Sequence, residues 1–234
     1  MSEFSNPVYC ALDTTDKDRA VAIAQAVKGS VGGLKIGLET FYSLGHDGYD
    51  AVAAFGLPIF LDLKLHDIPN TVAGGIRALL PLRPSIINVH ASGGMAMMSA
   101  AMEAAKRAGD RRPKIIGVTV LTSLDDDDLA AAGVSRPAHE QALRLAVLSQ
   151  KAGLDGVVCS AHDIAAIKSE CGPDFLTVVP GIRPASSSID DQKRAMTPEE
   201  ALAQGADILV VGRPITANDA PGDAADAIAR SLAA

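Results

Sequence analysis

Two carboxylates and a lysine crowd into positions 62–71, which read Asp-Leu-Lys-Leu-His-Asp-Ile-Pro-Asn-Thr. In an extended strand, residues two apart point to the same side, so Asp62 and Lys64 should share one face. Asp67 then comes from the turn beyond. A lysine between two carboxylates stays protonated, because nearby negative charge favours its cationic form. That suits Lys64 to proton donation rather than to Schiff-base chemistry, which requires a depressed pKa. A structural ion-pair network is the alternative that spacing alone leaves open.

Other charged residues fall where apolar runs end. Asp13 follows the first run, Lys35 lies in the second, and Arg183 and Arg213 follow the last two. Any one of them could be a solvated loop charge, but the whole set needs partners or a task. The runs themselves number eight, at 8–12, 33–36, 59–63, 86–89, 115–120, 156–159, 176–179 and 208–211. They are short and rich in Val and Ile, as strands buried on both faces are. Amphipathic stretches at 16–27, 95–108, 138–152 and 223–232 predict helices between them, with Thr14, Thr15 or Asp16 capping the first. Gly109, Gly153 and Gly205 fall where helices should stop. The second helical layer, 39–54, is interrupted by Gly45 and Gly48 and is expected in two pieces.

Repeated β-then-α order implies parallel strands joined by right-handed crossovers. Eight such units predict an α/β fold, a (β/α)₈ TIM barrel filling residues 1–234 as one domain. Active sites of such barrels lie at the C-terminal ends of the strands, where the charges gather. Two connections, 122–137 and 181–198, are longer than a barrel needs and are expected to be lids or binding loops.

Composition narrows the partners. A net charge of −7 disfavours general binding to polyanions, so a phosphate would need a local site. Five Phe, three Tyr and no Trp leave little for an aromatic nucleic-acid platform. No apolar run approaches membrane-spanning length, and Met1 to Pro7 lack a secretory pattern. Cys10, Cys159 and Cys171 form neither a disulfide framework nor a CxxC pair, and read as reduced thiols of a cytoplasmic protein.

The run at 62–71 resembles the signature of the orotidine 5′-monophosphate decarboxylases, Asp-x-Lys-x-x-Asp-Ile-Pro-Asn-Thr. The resemblance covers almost the whole chain. It takes in Ala11-Leu12-Asp13, Leu34-Lys35-Ile36-Gly37, Val89-His90-Ala91-Ser92-Gly93-Gly94 and the segment 117–123. Further on come Pro180-Gly181-Ile182-Arg183-Pro184, Asp191-Gln192 and Val211-Gly212-Arg213-Pro214. The order and spacing of these motifs are specific where each alone is weak.

The resemblance implies loss of CO₂ from orotidine 5′-monophosphate to give UMP, the last step of de novo pyrimidine synthesis, with no metal or organic cofactor. By the same resemblance, Lys64 donates the proton that replaces the carboxylate, and Asp62 faces that carboxylate. Asp67 completes the catalytic set and, with Thr71, enters from the neighbouring subunit of a homodimer. Asp13 and Lys35 match residues on the ribose hydroxyls, and Ile68 is counted with the substrate contacts. Thr122 or Ser123 lies near the pyrimidine, with Thr122 preferred. Arg183, Gln192, Gly212 and Arg213 match the residues that hold the 5′-phosphate.

Some features invite a role and are read otherwise. His66 and His90 are taken as structural, His90 as a hydrogen-bonded residue lining the barrel. Asp125 to Asp128 reads as a helix start rather than a metal site. Met95, Met97 and Met98 read as packing residues. Gly74-Gly75 and Gly93-Gly94 lack the full dinucleotide fingerprint. Two other functions compete with decarboxylation of the nucleotide. One is a magnesium-dependent sugar-phosphate decarboxylase or aldolase of the same superfamily, although Lys35 stands where such enzymes carry an acidic ligand. The other is a non-catalytic nucleotide-binding barrel.

Overall fold

The structure is a computed structural model that describes residues 6–183 and 196–232. Eight parallel strands among these residues close into a barrel in chain order. They are β1 (Val8–Leu12), β2 (Gly33–Gly37), β3 (Ile59–Leu65), β4 (Ile86–His90), β5 (Lys114–Val118), β6 (Gly156–Val158), β7 (Leu176–Val179) and β8 (Ile208–Val211). The (β/α)₈ expectation therefore holds. The β1–β8 pairing, through Val8 with Leu209 and Cys10 with Val211, closes the ring.

The helices are α1 (Lys17–Val27), α2 (Leu38–Ala53), α3 (Pro69–Leu79), α4 (Gly94–Lys106), α5 (Asp126–Ala131), α6 (Ala138–Lys151), α7 (Ile164–Cys171), α8 (Pro198–Ala203), α9 (Arg213–Thr216) and α10 (Pro221–Ser231). Asp16 caps α1 by accepting from the backbone N–H groups of Asp18 and Arg19. The second layer is in two pieces, as expected, and the break falls at one glycine. Gly45 alone is non-helical inside α2, with φ 58°, whereas Gly48 stays in the helix and is buried against Leu44.

The 122–137 connection is not wholly loop, because Asp125 and Asp128 form a reciprocal capping box that starts α5. The acidic run is thus a helix start, as read from the sequence. Gly153 and Gly205 take φ 82° and 99° just past α6 and α8, where a side chain would be strained.

Strand alternation divides the core into two layers. Outward residues such as Leu34, Leu61, Ile87 and Leu209 pack beneath the helices. Inward residues Tyr9, Ala11, Phe60, Ile86, Ile116, Val178, Ile208 and Val210 fill the barrel. Tyr9 occupies the space that Gly33 leaves, since a Cβ on Gly33 would stand 2.3 Å from its ring. Met97 and Met98 are buried as expected, but Met95 is 39% exposed because it lies on the first turn of α4, outside the core face.

Ionic ties brace the N-terminal ends of the strands. Asp155, just before β6, takes a bidentate pair from Arg112 at 2.7 and 2.8 Å and the Ile115 N–H of β5 at 2.7 Å. Asp207, before β8, accepts from Lys168 and from the Thr177 N–H of β7, both at 2.7 Å. These ties leave the opposite rim to the polar residues considered next.

Candidate active site

The inward register that buries Phe60 also turns Lys35 and Asp62 toward the C-terminal mouth of the barrel. Register pairs Lys35 with Phe60 and Gly37 with Asp62, so the lysine sits one step below the carboxylate on the neighbouring strand. Lys35 Nζ lies 3.3 Å from Asp62 Oδ2 and 3.4 Å from Asp13 Oδ1. Lys64 Nζ donates to Asp62 Oδ1 at 2.6 Å. Within the chain, one carboxylate thus stands between two ammonium groups.

Asp67 does not reach Lys64 within the chain. Its carboxylate accepts from the N–H of Ile68 at 2.6 Å in the turn after β3, and the side chain faces outward. Among the described residues no ion pair joins Asp67 to the Lys64 of the same chain. Ile68 and Thr71 are exposed on the same segment, Ile68 at 66%.

Asp62 and Lys64 do share the barrel mouth, but not by simple alternation. Between Leu61, which pairs with Ile87, and Leu65, which pairs with Val89, three residues of β3 face Asn88 alone. Lys64 absorbs this bulge with φ 49°, a left-handed conformation that costs a non-glycine residue on the order of 1–3 kcal/mol. The Asn88 side chain occupies the gap: its Oδ1 accepts the Lys64 N–H at 2.8 Å and its Nδ2 donates to Asp62 Oδ1 at 2.7 Å.

Electrostatics follow from this geometry. Burial pushes the Asp62 carboxyl up, but Lys35, Lys64 and the donor of Asn88 together hold it below its ordinary value. Burial, then the nearby His66 and Lys64, hold His90 below its ordinary value against the pull of Asp62. His90 ends β4 with its ring 5.4 Å from that of His66, a ring contact rather than the expected hydrogen bond among the described residues.

A cavity of about 330 Å³ opens above this group, lined by Lys35, Phe60, Asp62, Lys64, Thr122 and Ser123 among others. Thr122 and Ser123 both face it, so the choice between them stays open. Cys159 lines it too, and burial raises its thiol; Cys10 is likewise pushed up to about 12, chiefly by burial. Arg183 follows β7, buried at 8% exposure, and its N–H donates to the carbonyl of Met196. Gly212 follows β8 with its Cβ direction toward Ala11 and Asp13, and Arg213 begins α9 on the exposed rim. Gln192 lies outside the described residues.

Sequence reading missed three positioning residues. Asn88 is the first. Thr40 is the second: its hydroxyl donates to Leu12 O at 2.7 Å and accepts the Thr14 N–H at 3.1 Å, which pins the backbone on both sides of Asp13. Gly37 is the third, because a Cβ there would stand 2.9 Å from Lys35 Nζ. The signal for Asn88 was present, since an amide in the middle of an apolar strand run must find partners.

A closed parallel barrel with a lysine–carboxylate chain facing a cavity at its C-terminal mouth defines a (β/α)₈-barrel enzyme. Comparison with known proteins narrows the class. The family described as orotidine 5′-phosphate decarboxylase / HUMPS matches residues 6–228. A protein of Rhodospirillum rubrum named orotidine 5′-phosphate decarboxylase is 54% identical, over 97% of this chain and 94% of its own. A protein of the same name from Novosphingobium aromaticivorans is 55% identical, over 97% of this chain and all of its own. The crystal structure of orotidine 5′-phosphate decarboxylase from Lactobacillus acidophilus superposes with a TM-score of 0.86 at 38% identity, covering 98% of this chain and all of that one. The chain belongs to the orotidine 5′-phosphate decarboxylase / HUMPS family, and it is a carboxy-lyase.

Proposed function

We propose that this protein converts orotidine 5′-monophosphate to UMP and CO₂, the closing step of UMP synthesis, with residues 1–234 acting as one barrel domain. The observation that carries the reading is the Lys35–Asp62–Lys64 chain at the cavity mouth. Breaking the bond from C6 to its carboxylate leaves an electron pair in the plane of the pyrimidine, without ordinary delocalisation. Lys64 answers that charge with a placed cation, and its Nζ–H then forms the new C6–H bond. The lysine, left neutral, regains its proton from solvent.

Asp62 repels the substrate carboxylate, and the repulsion fades as CO₂ departs. The placed cation is the main contribution and this repulsion the secondary one. With remote phosphate binding they must lower the barrier by on the order of 20 kcal/mol. Asp13 and Lys35 hold the ribose hydroxyls. Arg183, Gln192, Gly212 and Arg213 hold the 5′-phosphate, and Thr122 or Ser123 meets the pyrimidine. A second copy of the chain supplies Asp67 and Thr71, with Ile68 beside the substrate. The exposed Leu38, Tyr42, Ile68 and Met95, all just past β2, β3 and β4, fit the face that such a copy would cover. Buried, free thiols at Cys10, Cys159 and Cys171 fit work in a reducing cytoplasm.

The reaction needs no metal or organic cofactor on this reading, and the Lys35 ammonium between Asp13 and Asp62 would oppose a divalent cation there. The test is a spectrophotometric assay with orotidine 5′-monophosphate, with and without a chelator, on the protein and on Lys64→Ala. Turnover that survives chelation and disappears in the variant, while UMP still binds, is the expected result. Turnover lost to the chelator favours a magnesium-dependent sugar-phosphate enzyme, and a near-normal Lys64→Ala removes the proposed chemistry.

A further inference from the structure

Asn88 lies wholly buried on β4, between apolar neighbours, and its two amide ends are spent on the same two residues. Its position answers a local problem. Where three residues of β3 face one of β4, the parallel ladder is interrupted and the Lys64 N–H would lose its partner. The Asn88 carbonyl takes that N–H, and the side chain that supplies it is wholly shielded from solvent. The other end of the same planar group donates to the oxygen of Asp62 that also accepts from Lys64 Nζ.

We propose that Asn88 is a positioning residue for the reaction: its amide, opposite the β3 bulge, sets the Asp62 carboxylate and the Lys64 backbone together. The role needs an acceptor at one end and a donor at the other, in one rigid plane. Only an amide offers both at this length. Removing it frees the Lys64 backbone to leave its left-handed conformation, and the ammonium moves with it. It also takes from Asp62 one of the groups that stabilise its charge. Among the described residues, the charged or titratable neighbours of Asp62 are Lys35 from β2, Lys64 on its own strand and His90 at the end of β4, with Asp13 beyond Lys35.

The inference rests on the reading of Lys64 and Asp62 as the reacting pair. Its test therefore compares Asn88→Ala and the isosteric Asn88→Asp with Lys64→Ala, all in the full chain. Rates are referred to sites counted by UMP titration, so an unfolded fraction does not enter. In Asn88→Ala, kcat per site should fall on the order of 10²-fold while UMP affinity stays near that of the parent. The acidic limb of the kcat–pH profile should move to higher pH in Asn88→Ala, and further in Asn88→Asp, where a second carboxylate faces Asp62. If Asn88→Ala yields no folded sites, Asn88→Asp carries the measurement, because it keeps the volume and the acceptor for the Lys64 N–H. An unchanged kcat per site with an unmoved acidic limb, beside an inactive Lys64→Ala, overturns the role of Asn88 alone. An active Lys64→Ala overturns the underlying reading instead.

Discussion

Gly37 and Lys35 sit two residues apart on β2, and the ammonium of the lysine occupies space that a Cβ on the glycine would contest, at 2.9 Å. The same Cβ would stand 3.3 Å from Asp13 Oδ1. The bare backbone at Gly37 thus lets Lys35 lean between Asp13 and Asp62. Gly37→Ala should displace the flexible end of Lys35 without breaking the barrel. We expect KM for the nucleotide to rise about tenfold, with the melting temperature little changed. Steady-state kinetics beside a thermal melt checks this; unchanged KM would mean that the lysine accommodates the methyl in place.

Asp67 is exposed and makes no ion pair with the Lys64 of its own chain among the described residues, and this makes a complementation experiment decisive. If a two-fold dimer exchanges these residues, Lys64→Ala and Asp67→Ala chains are each inactive alone. In a mixed dimer one site carries both changes and the other carries neither. Random mixing should then restore activity to about a quarter of all sites. No recovery after verified subunit exchange would place Asp67 in the site of its own chain or outside the chemistry.

Stability should fall as the medium is acidified, in two stages. His90 has a folded pKa below its ordinary 6.5, so the unfolded chain takes up its proton first. Its contribution is full above pH 6.5 and is lost as pH falls toward the lowered folded value. Asp62, held below 3.8, acts in the same direction at lower pH, its contribution going as pH falls through its folded pKa. Melting temperatures of the protein and of His90→Asn across this range test the first stage, since the variant should show a shallower decline below pH 6.5.

Asp155 serves the fold and not the chemistry. Asp155→Asn should cost about 1.5 kcal/mol, the low end of the range for hydrogen bonds to charged groups, because the Arg112 side chain is a third exposed. Denaturant unfolding reads the loss. Activity per folded site should be unchanged, since the tie lies at the strand N-termini, opposite the cavity.

Much of this protein could be read along the chain. Eight buried runs with helices between them dictate a parallel barrel because periodicity is a local property that survives into the fold. The mouth residues Asp13, Lys35, Asp62 and Lys64 were visible because each stands at the end of, or inside, an apolar run. Local chemistry also placed Asp16 among three candidate caps and foretold the α5 start. What the chain alone left undecided depends on closure and register. The β2–β3 register put Lys35 against Asp62, and the bulge opposite Asn88 put Lys64 in a left-handed turn. The exit of β3 carried Asp67 outward. Those outcomes belong to the tertiary structure, because they are set by packing strands whose contacts lie some two dozen residues or more apart, a distance at which sequence spacing carries no direction.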